Sequence, residues 1–416
     1  MAPLSWLRGT ALPAHAMLSP MRRFDIAVVG GGAAGLSLTH RLAAANRSGG
    51  PRLSVALVDA PPGPLRPPER TWCYWERGAG RWDALLAASW DRLRVLGADG
   101  AEHGSSAAPF RYKMLRSADF EEHVRAATAD GVVGYGARVE EIADGDDRAA
   151  VRGVDAGGEA VEIGARWVFD SRPRPLPPAR TALLQHFRGW FLRTPRDAFD
   201  PAGAVLMDLR TPQPPGGVSF GYILPLSART ALVEYTEFTR EALDEAAYEA
   251  ALHDYTGRLL GLADFEVTAA EQGAIPMTDA RISTRAGRRV FRIGAAGGAT
   301  RPSTGYTFAG IQRQTAAVAA ALARGRTPVP PVPHRRRHLA MDAVLLRALD
   351  SGRVDGSAFF TRLFARNALP DVLEFLDGPS SLRRELALGA TTPVLPMSAT
   401  AAECAVGALL AAPAGR

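Results

Sequence analysis

The chain has 416 residues, 47% of them hydrophobic and 22% charged, a globular composition large enough for more than one core and incompatible with wholesale disorder. Its formal charge of +6 rests almost wholly on arginine, with Lys113 the sole lysine, and no basic run is interleaved with aromatics, which argues against a nucleic-acid partner. Two distant cysteines, Cys73 and Cys404, exclude a disulfide framework and a metal cluster and fit a reducing cytoplasm.

Residues 1–20 are small, apolar and broken by proline. They read as a flexible tail, with a weak export signal cleaved after Ala16, or a start at Met17 or Met21, as the other readings. Beyond them no stretch of about 18 charge-free apolar residues occurs, so any membrane contact is expected to be peripheral.

The folded part opens with FDIAVVGGGAAGLSLTHRLAAAN at 24–46, a β-branched run, a glycine turn and a helical pattern. Gly30, Gly32 and Gly35 fit G-x-G-x-x-G, whose glycines allow a tight turn, close approach of a pyrophosphate and close packing of helix on strand. The helix N-terminus offers free N–H groups to the phosphates. The next strand, LSVALVD, ends at Asp59, placed to accept from an adenosine ribose. This pattern alone leaves NAD and FAD open.

The chain does not continue as a simple dehydrogenase would, but turns to Pro- and Trp-rich sequence at 61–82. A strand returns at 161–173 and ends at Asp170 and Arg172, read as an ion pair near the nucleotide or as a turn-stabilising pair. Residues 288–322 repeat strand, glycine turn and helix, with Gly294, Gly297, Gly298, Thr304 and Gly305 in the turn. Three such segments resemble the FAD-binding half of the aromatic-hydroxylase-like flavoproteins, although the aspartate many of them carry after the first of these glycines is Ala295 here.

Between 180 and 285 the strands WFLRT, AVLMDLR, VSFGYILPLS and TALVEYTEFT predict an antiparallel sheet, with a helix over 241–262. Residues 335–416 read as mostly helical. The fold class is therefore α/β: a Rossmann-like FAD-binding domain at 21–180 and 286–330, a substrate-binding antiparallel sheet at 181–285 and a helical region at 331–416.

The ordered series RTWCYWE (70–76), FDSRP (169–173), QHFRGW (185–190), LMDLR (206–210), YILPLS (222–227), LVEYTEF (232–238), GAIPM (273–277) and PSTGY (302–306), with the glycine motif, resembles the bacterial lycopene β-cyclases. That family also commonly lacks the aspartate replaced by Ala295. The resemblance implies acid-initiated closure of the acyclic ends of lycopene to β-rings, giving β-carotene through γ-carotene. It also implies a reduced FAD that is not consumed and NADPH or another donor that keeps it reduced.

Protonating an alkene requires a carboxyl still protonated near neutral pH, which burial supplies. Strand alternation puts Glu234 with Leu232, Thr236 and Phe238, and Glu237 with Val233, Tyr235 and Thr239, so alternation alone does not choose between them. The family pattern favours Glu234, with Glu237 read as a solvated edge acid and Asp208 and Asp170 as further candidates. Trp72, Tyr74, Trp75, Tyr222 and Tyr306 are expected to face a carbocation, or else to be plain aromatic core. FFTRLFARNAL at 359–369 and the apolar stretch 395–412 are read either as docking on a membrane, where lycopene resides, or as packing on the body. The location implied is cytoplasmic with peripheral membrane association. An FAD-dependent monooxygenase or isoprenoid reductase is the alternative enzyme, and a flavin-containing carotenoid-binding or scaffold protein the non-enzymatic one.

Overall fold

The computed structural model describes residues 21–49, 52–378 and 380–410; the predicted tail at 1–20 lies outside them. In chain order come β1 (Arg22–Val29), α1 (Ala33–Arg47), β2 (Val55–Asp59), β3 (Thr71–Arg77), β4 (Leu86–Trp90), β5 (Arg92–Leu96), β6 (Glu102–Ser106), β7 (Phe110–Arg116), α2 (Ser117–Thr128), β8 (Val132–Ala143), β9 (Ala149–Asp155) and β10 (Ala160–Asp170). There follow β11 (Ala182–Arg193), β12 (Gly203–Asp208), β13 (Val218–Pro225), β14 (Thr230–Thr239), α3 (Glu245–Asp254), β15 (Glu266–Thr278), β16 (Val290–Arg292) and α4 (Phe308–Ala323). The helices α5 (Arg336–Asp350), α6 (Gly356–Arg366), α7 (Leu369–Asp377), α8 (Leu382–Thr391) and α9 (Val394–Leu410) complete it.

β8, β2, β1, β10 and β16 form a parallel sheet in that spatial order, with β9 joining the far parts of β8 and β10 antiparallel to both. β1 is buried on both faces, as its unbroken Ile-Ala-Val-Val run requires. α1 and α4 cover one face side by side, tied by Arg41 donating to Thr315 and Gln312 and by Gln312 donating to Ser37. The third segment thus stacks on the first although some 260 residues separate them in sequence.

The second sheet runs β15-β11-β14-β13-β12-β5-β6, antiparallel except for the β12–β5 pair. β14 is therefore an interior strand, not an edge. A smaller antiparallel sheet, β3-β7-β4, faces it. Between these sheets and the C-terminal helices lies a core of Trp75, Trp90, Tyr112, Phe220, Leu232, Phe238, Phe360 and Leu373. The opposite face of the large sheet packs Trp190, Val233 and Tyr235 against Tyr248, Leu252 and Tyr255 from α3 and the turn after it. Asp244 caps α3 by accepting from Ala247 N, Asp355 caps α6 and Ser381 caps α8, each such contact being worth about 1 kcal/mol.

The α/β class and the helical C-terminal region are as expected, but the division at residue 180 is too simple. β3 to β7 come from within 71–116 and build the second half of the molecule. β15 was not anticipated as a strand. Phe359, Phe360, Leu363 and Phe364 are buried, so the 359–369 segment packs on the body and is not a membrane-facing surface.

Candidate active site

The nucleotide cradle is built from the glycines read in the sequence. Gly30 turns at φ +95°, and a Cβ on Gly35 would collide with the Gly30 carbonyl, so α1 can approach β1 only with glycine there. Gly32 sits at the N-cap of α1, whose first turn has no acidic residue and no side-chain cap, and a Cβ at Gly32 would enter open space. Free N–H groups at such a helix N-terminus suit a phosphate. Asp59 Oδ1 accepts from Gly31 N at 2.8 Å, while Oδ2 pairs with Arg66 and Arg125. Gly294, at φ +68°, brings the third segment to within 2.7 Å, measured from a notional Cβ, of the Ala34 methyl in the first turn of α1. Gln314 ties that segment to α4 by accepting from Gly294 N and donating to the Gly297 carbonyl. Gly298 and Gly305 also turn at positive φ, and the N-terminus of α4 has no side-chain cap. Thr304 and Gly305 form the loop nearest the large sheet, where the buried Gln185 Oε1 has no partner and lies against Gly305. An open cradle spanning two helix N-termini, with an orphaned amide oxygen at its far end, fits a flavin dinucleotide.

The two acids of β14 separate by face. Glu234, 7% exposed, projects with Leu232 and Phe238 toward the aromatic sheet, and its Oε1 accepts from the Thr236 hydroxyl at 2.7 Å. Burial, reinforced by the nearby Glu271 carboxylate, pushes its pKa up to about 8. Glu237 is not the solvated edge acid that was expected. It is 6% exposed on the α3 side of an interior strand, accepts from the Tyr235 hydroxyl at 2.8 Å and lies 3.7 Å from His186. Burial raises its pKa too, but it faces the wrong way to share a substrate with Glu234.

Asp208 is fully buried with both oxygens engaged by Arg210, and Tyr255 donates to Oδ2 from the α3 side. Asp170 lies at the carboxyl end of the parallel sheet, held by Arg172 through both oxygens. Neither is hydrogen-bonded to a residue that contacts Glu234.

The TWCYW strand also splits. Cys73 and Trp75 face the large sheet, whereas Trp72 and Tyr74 face the nucleotide half and pack on Phe308, Trp72 stacked at 5.7 Å and Tyr74 tilted at 4.7 Å. Trp72 is thus core, while Tyr74 reaches the rim of a small cleft shared with Trp75, Tyr306 and Arg301. Trp75 lies edge-on to Tyr306 at 4.6 Å, and its indole N–H donates to the Leu373 carbonyl at 3.0 Å. Tyr222 is the cross-strand partner of Glu234, and the Tyr112 hydroxyl stands 2.7 Å from that of Tyr222 and 3.1 Å from that of Tyr306. Tyr112 was not anticipated; RYKML carries no motif of its own, and only the pairing of β7 with β3 and β4 brings it here. Among the described residues no group of His, Cys, Asp and Glu is arranged to hold a metal ion.

Fold and site together define a flavoprotein-type α/β protein whose nucleotide cradle abuts an aromatic cluster beside a buried carboxyl with no cation paired to it. Solved structures agree on the fold. A geranylgeranyl bacteriochlorophyll reductase-like protein from Thermoplasma acidophilum superposes with a TM-score of 0.65 at 14% identity, over 91% of this chain and 98% of that one. The p-nitrophenol 4-monooxygenase of Pseudomonas putida gives 0.57 at 16%, over 92% and 98%. The family model for lycopene cyclase protein matches residues 25–402, and the chain belongs to that family, an enzyme family of carotenoid cyclisation. A lycopene beta-cyclase of Pseudescherichia vulneris is 28% identical over 295 residues, 68% of this chain and 70% of that protein.

Proposed function

We propose that the protein closes the acyclic ends of lycopene to β-rings without net redox change, with Glu234 as the general acid. The observation that carries this reading is a carboxyl buried on the aromatic-sheet side of β14, with one hydroxyl donor and no cation paired to it. Such a group retains its proton at neutral pH and can deliver it where water is absent.

Glu234 donates its proton to C2 of the terminal double bond, leaving a tertiary cation at C1. The C5–C6 π electrons then form the C1–C6 bond and the positive charge moves to C5. Loss of the C6 proton regenerates the C5–C6 double bond, and the Glu234 carboxylate is the base that restores its own acid form. Trp75, Tyr112, Tyr222 and Tyr306 form one cluster on the Glu234 side of β14; their rings, each worth about 1–2 kcal/mol to a desolvated cation, would stabilise the charge and keep out the water that would turn it into an alcohol.

The glycine cradle, Asp59 and the Gly294–Gly305 segment would hold FAD, and the unpartnered Gln185 amide oxygen would offer it a hydrogen-bond acceptor. A bound FAD, reduced and anionic, supplies negative charge beside the cation without being consumed, and NADPH or another donor keeps it reduced. The substrate is a membrane hydrocarbon, so peripheral attachment belongs to the same reading; exposed Leu382, Leu386, Val394 and Leu395 on α8 and α9 support it.

The test is Glu234→Gln in cells that accumulate lycopene. Lycopene is expected to persist uncyclised while the purified variant keeps its fold and bound flavin; cyclic product at the wild-type level would remove Glu234 as the acid.

A further inference from the structure

One carboxyl outside the scheme above faces the same space as Glu234. β15 pairs with β11 so that Glu271 lies opposite Gly189, and β14 pairs from the other side so that Glu234 lies opposite the same glycine. Directly opposed residues of antiparallel strands project to one side of the sheet, so two carboxyls flank a position that has no side chain. Gly189 is buried, and a Cβ there would stand 2.9 Å from Leu232 Cδ1 and 3.3 Å from Glu234 Cβ. Strands spaced about 4.8 Å apart set the two acidic backbones about 10 Å apart, and side chains reaching inward over the bare glycine bring the carboxyls toward each other.

The two acids are held differently. Glu271 Oε2 accepts from the Thr71 N–H at 3.1 Å and from the Thr71 hydroxyl at 2.8 Å, with Arg116 and Arg70 close by. Glu234 accepts from one hydroxyl. Burial raises both pKa values, but donors and cations favour the ionised form, so the pair gives up its first proton at Glu271. Other titratable groups facing Glu234 are Tyr222 from β13, Cys73 from β3 and Tyr306 from the third segment, with Tyr112 behind Tyr222 and Tyr248 across the sheet. Burial raises all of these, the Cys73 thiol to about 12, so none is an anion at neutral pH.

We propose that Glu271 is a positioning residue for the catalytic proton: held ionised by Thr71, it keeps the remaining proton of the pair on Glu234 across Gly189. The inference rests on the reading of Glu234 as proton donor and adds the partner that sets its protonation. Removing the negative neighbour lowers the pKa of Glu234. Activity needs the protonated form and is lost as pH rises through that pKa, so its alkaline limit moves down.

The experiment is a carboxyl-labelled glutamate titration, by NMR, of the full chain as wild type, Glu271→Gln and Glu271→Asp, with pH–rate profiles alongside. In Glu271→Gln the Glu234 midpoint is expected to fall by about one pH unit, a tenfold loss of proton affinity, with the alkaline limit of turnover following it; Glu271→Asp restores both. Should Glu271→Gln not fold, Thr71→Val serves instead, and the first ionisation of the pair is expected to move up. An unmoved Glu234 midpoint in folded Glu271→Gln, or an unmoved first ionisation in Thr71→Val, overturns the proposal. The titration needs no turnover, so it stands apart from the function. Cyclisation by Glu234→Gln would refute the donor role while leaving the coupling of the two carboxyls measurable.

Discussion

Glu234 is a carboxyl whose burial is not offset by a cation, and this gives it an unusual linkage to stability. Its pKa is 4.5 in the unfolded chain and about 8 in the fold, so the native state binds the proton more tightly. The stabilising contribution of that proton is complete below pH 4.5 and is lost as pH rises through about 8. Glu234→Gln abolishes the loss, so its melting temperature should exceed that of the wild type at alkaline pH and converge toward it as pH falls. A constant difference across the whole range would mean that Glu234 does not titrate as a buried acid. The candidate acid proposed here was singled out in LVEYTEF through the family resemblance, but its face was not legible, because both faces of that strand mix polar and apolar residues. What decides the face is the partner layer: α3 covers Glu237, and the β3-β7-β4 sheet covers Glu234.

At the scale of elements, what local pattern could read was read correctly. The glycine turn, the Ala-rich helices and the β-branched strands are short-range signals. β15 escaped because EQGAIPM contains glycine and proline and alternates polar and small residues; it becomes a strand only by pairing with β11, some 80 residues earlier. Its contribution to the site, Glu271, was hidden for the same reason. The membrane-facing reading of 359–369 failed because an amphipathic helix looks alike whether its apolar face meets lipid or protein. α8 and α9 differ: Leu386 is 63% and Leu395 83% exposed, beside Arg383 and Arg384. Replacing both leucines by aspartate is expected to weaken sedimentation with anionic lipid vesicles at least several-fold while leaving the fold intact. Unchanged sedimentation would place the attachment elsewhere.

At the scale of the molecule, the chain crosses between its halves repeatedly. The first segment contributes the cradle and then the aromatic sheet, the middle contributes the acids, and the third segment returns to close the cradle against Gln185. No helix among the described residues is long and apolar enough to cross a membrane. On the proposed reading a buried carboxyl and a cluster of aromatic rings stand beside a flavin site, and the flavin stays outside the atom balance of the product. The most direct test is the mass of the pigment formed from lycopene by the protein in deuterated water. The proton added at C2 comes from an exchangeable carboxyl and the one lost comes from C6. The product is therefore predicted to be an isomer of lycopene carrying one deuterium for each ring formed. A product heavier by an oxygen atom or by two hydrogens, or a ring formed without label, would contradict the account.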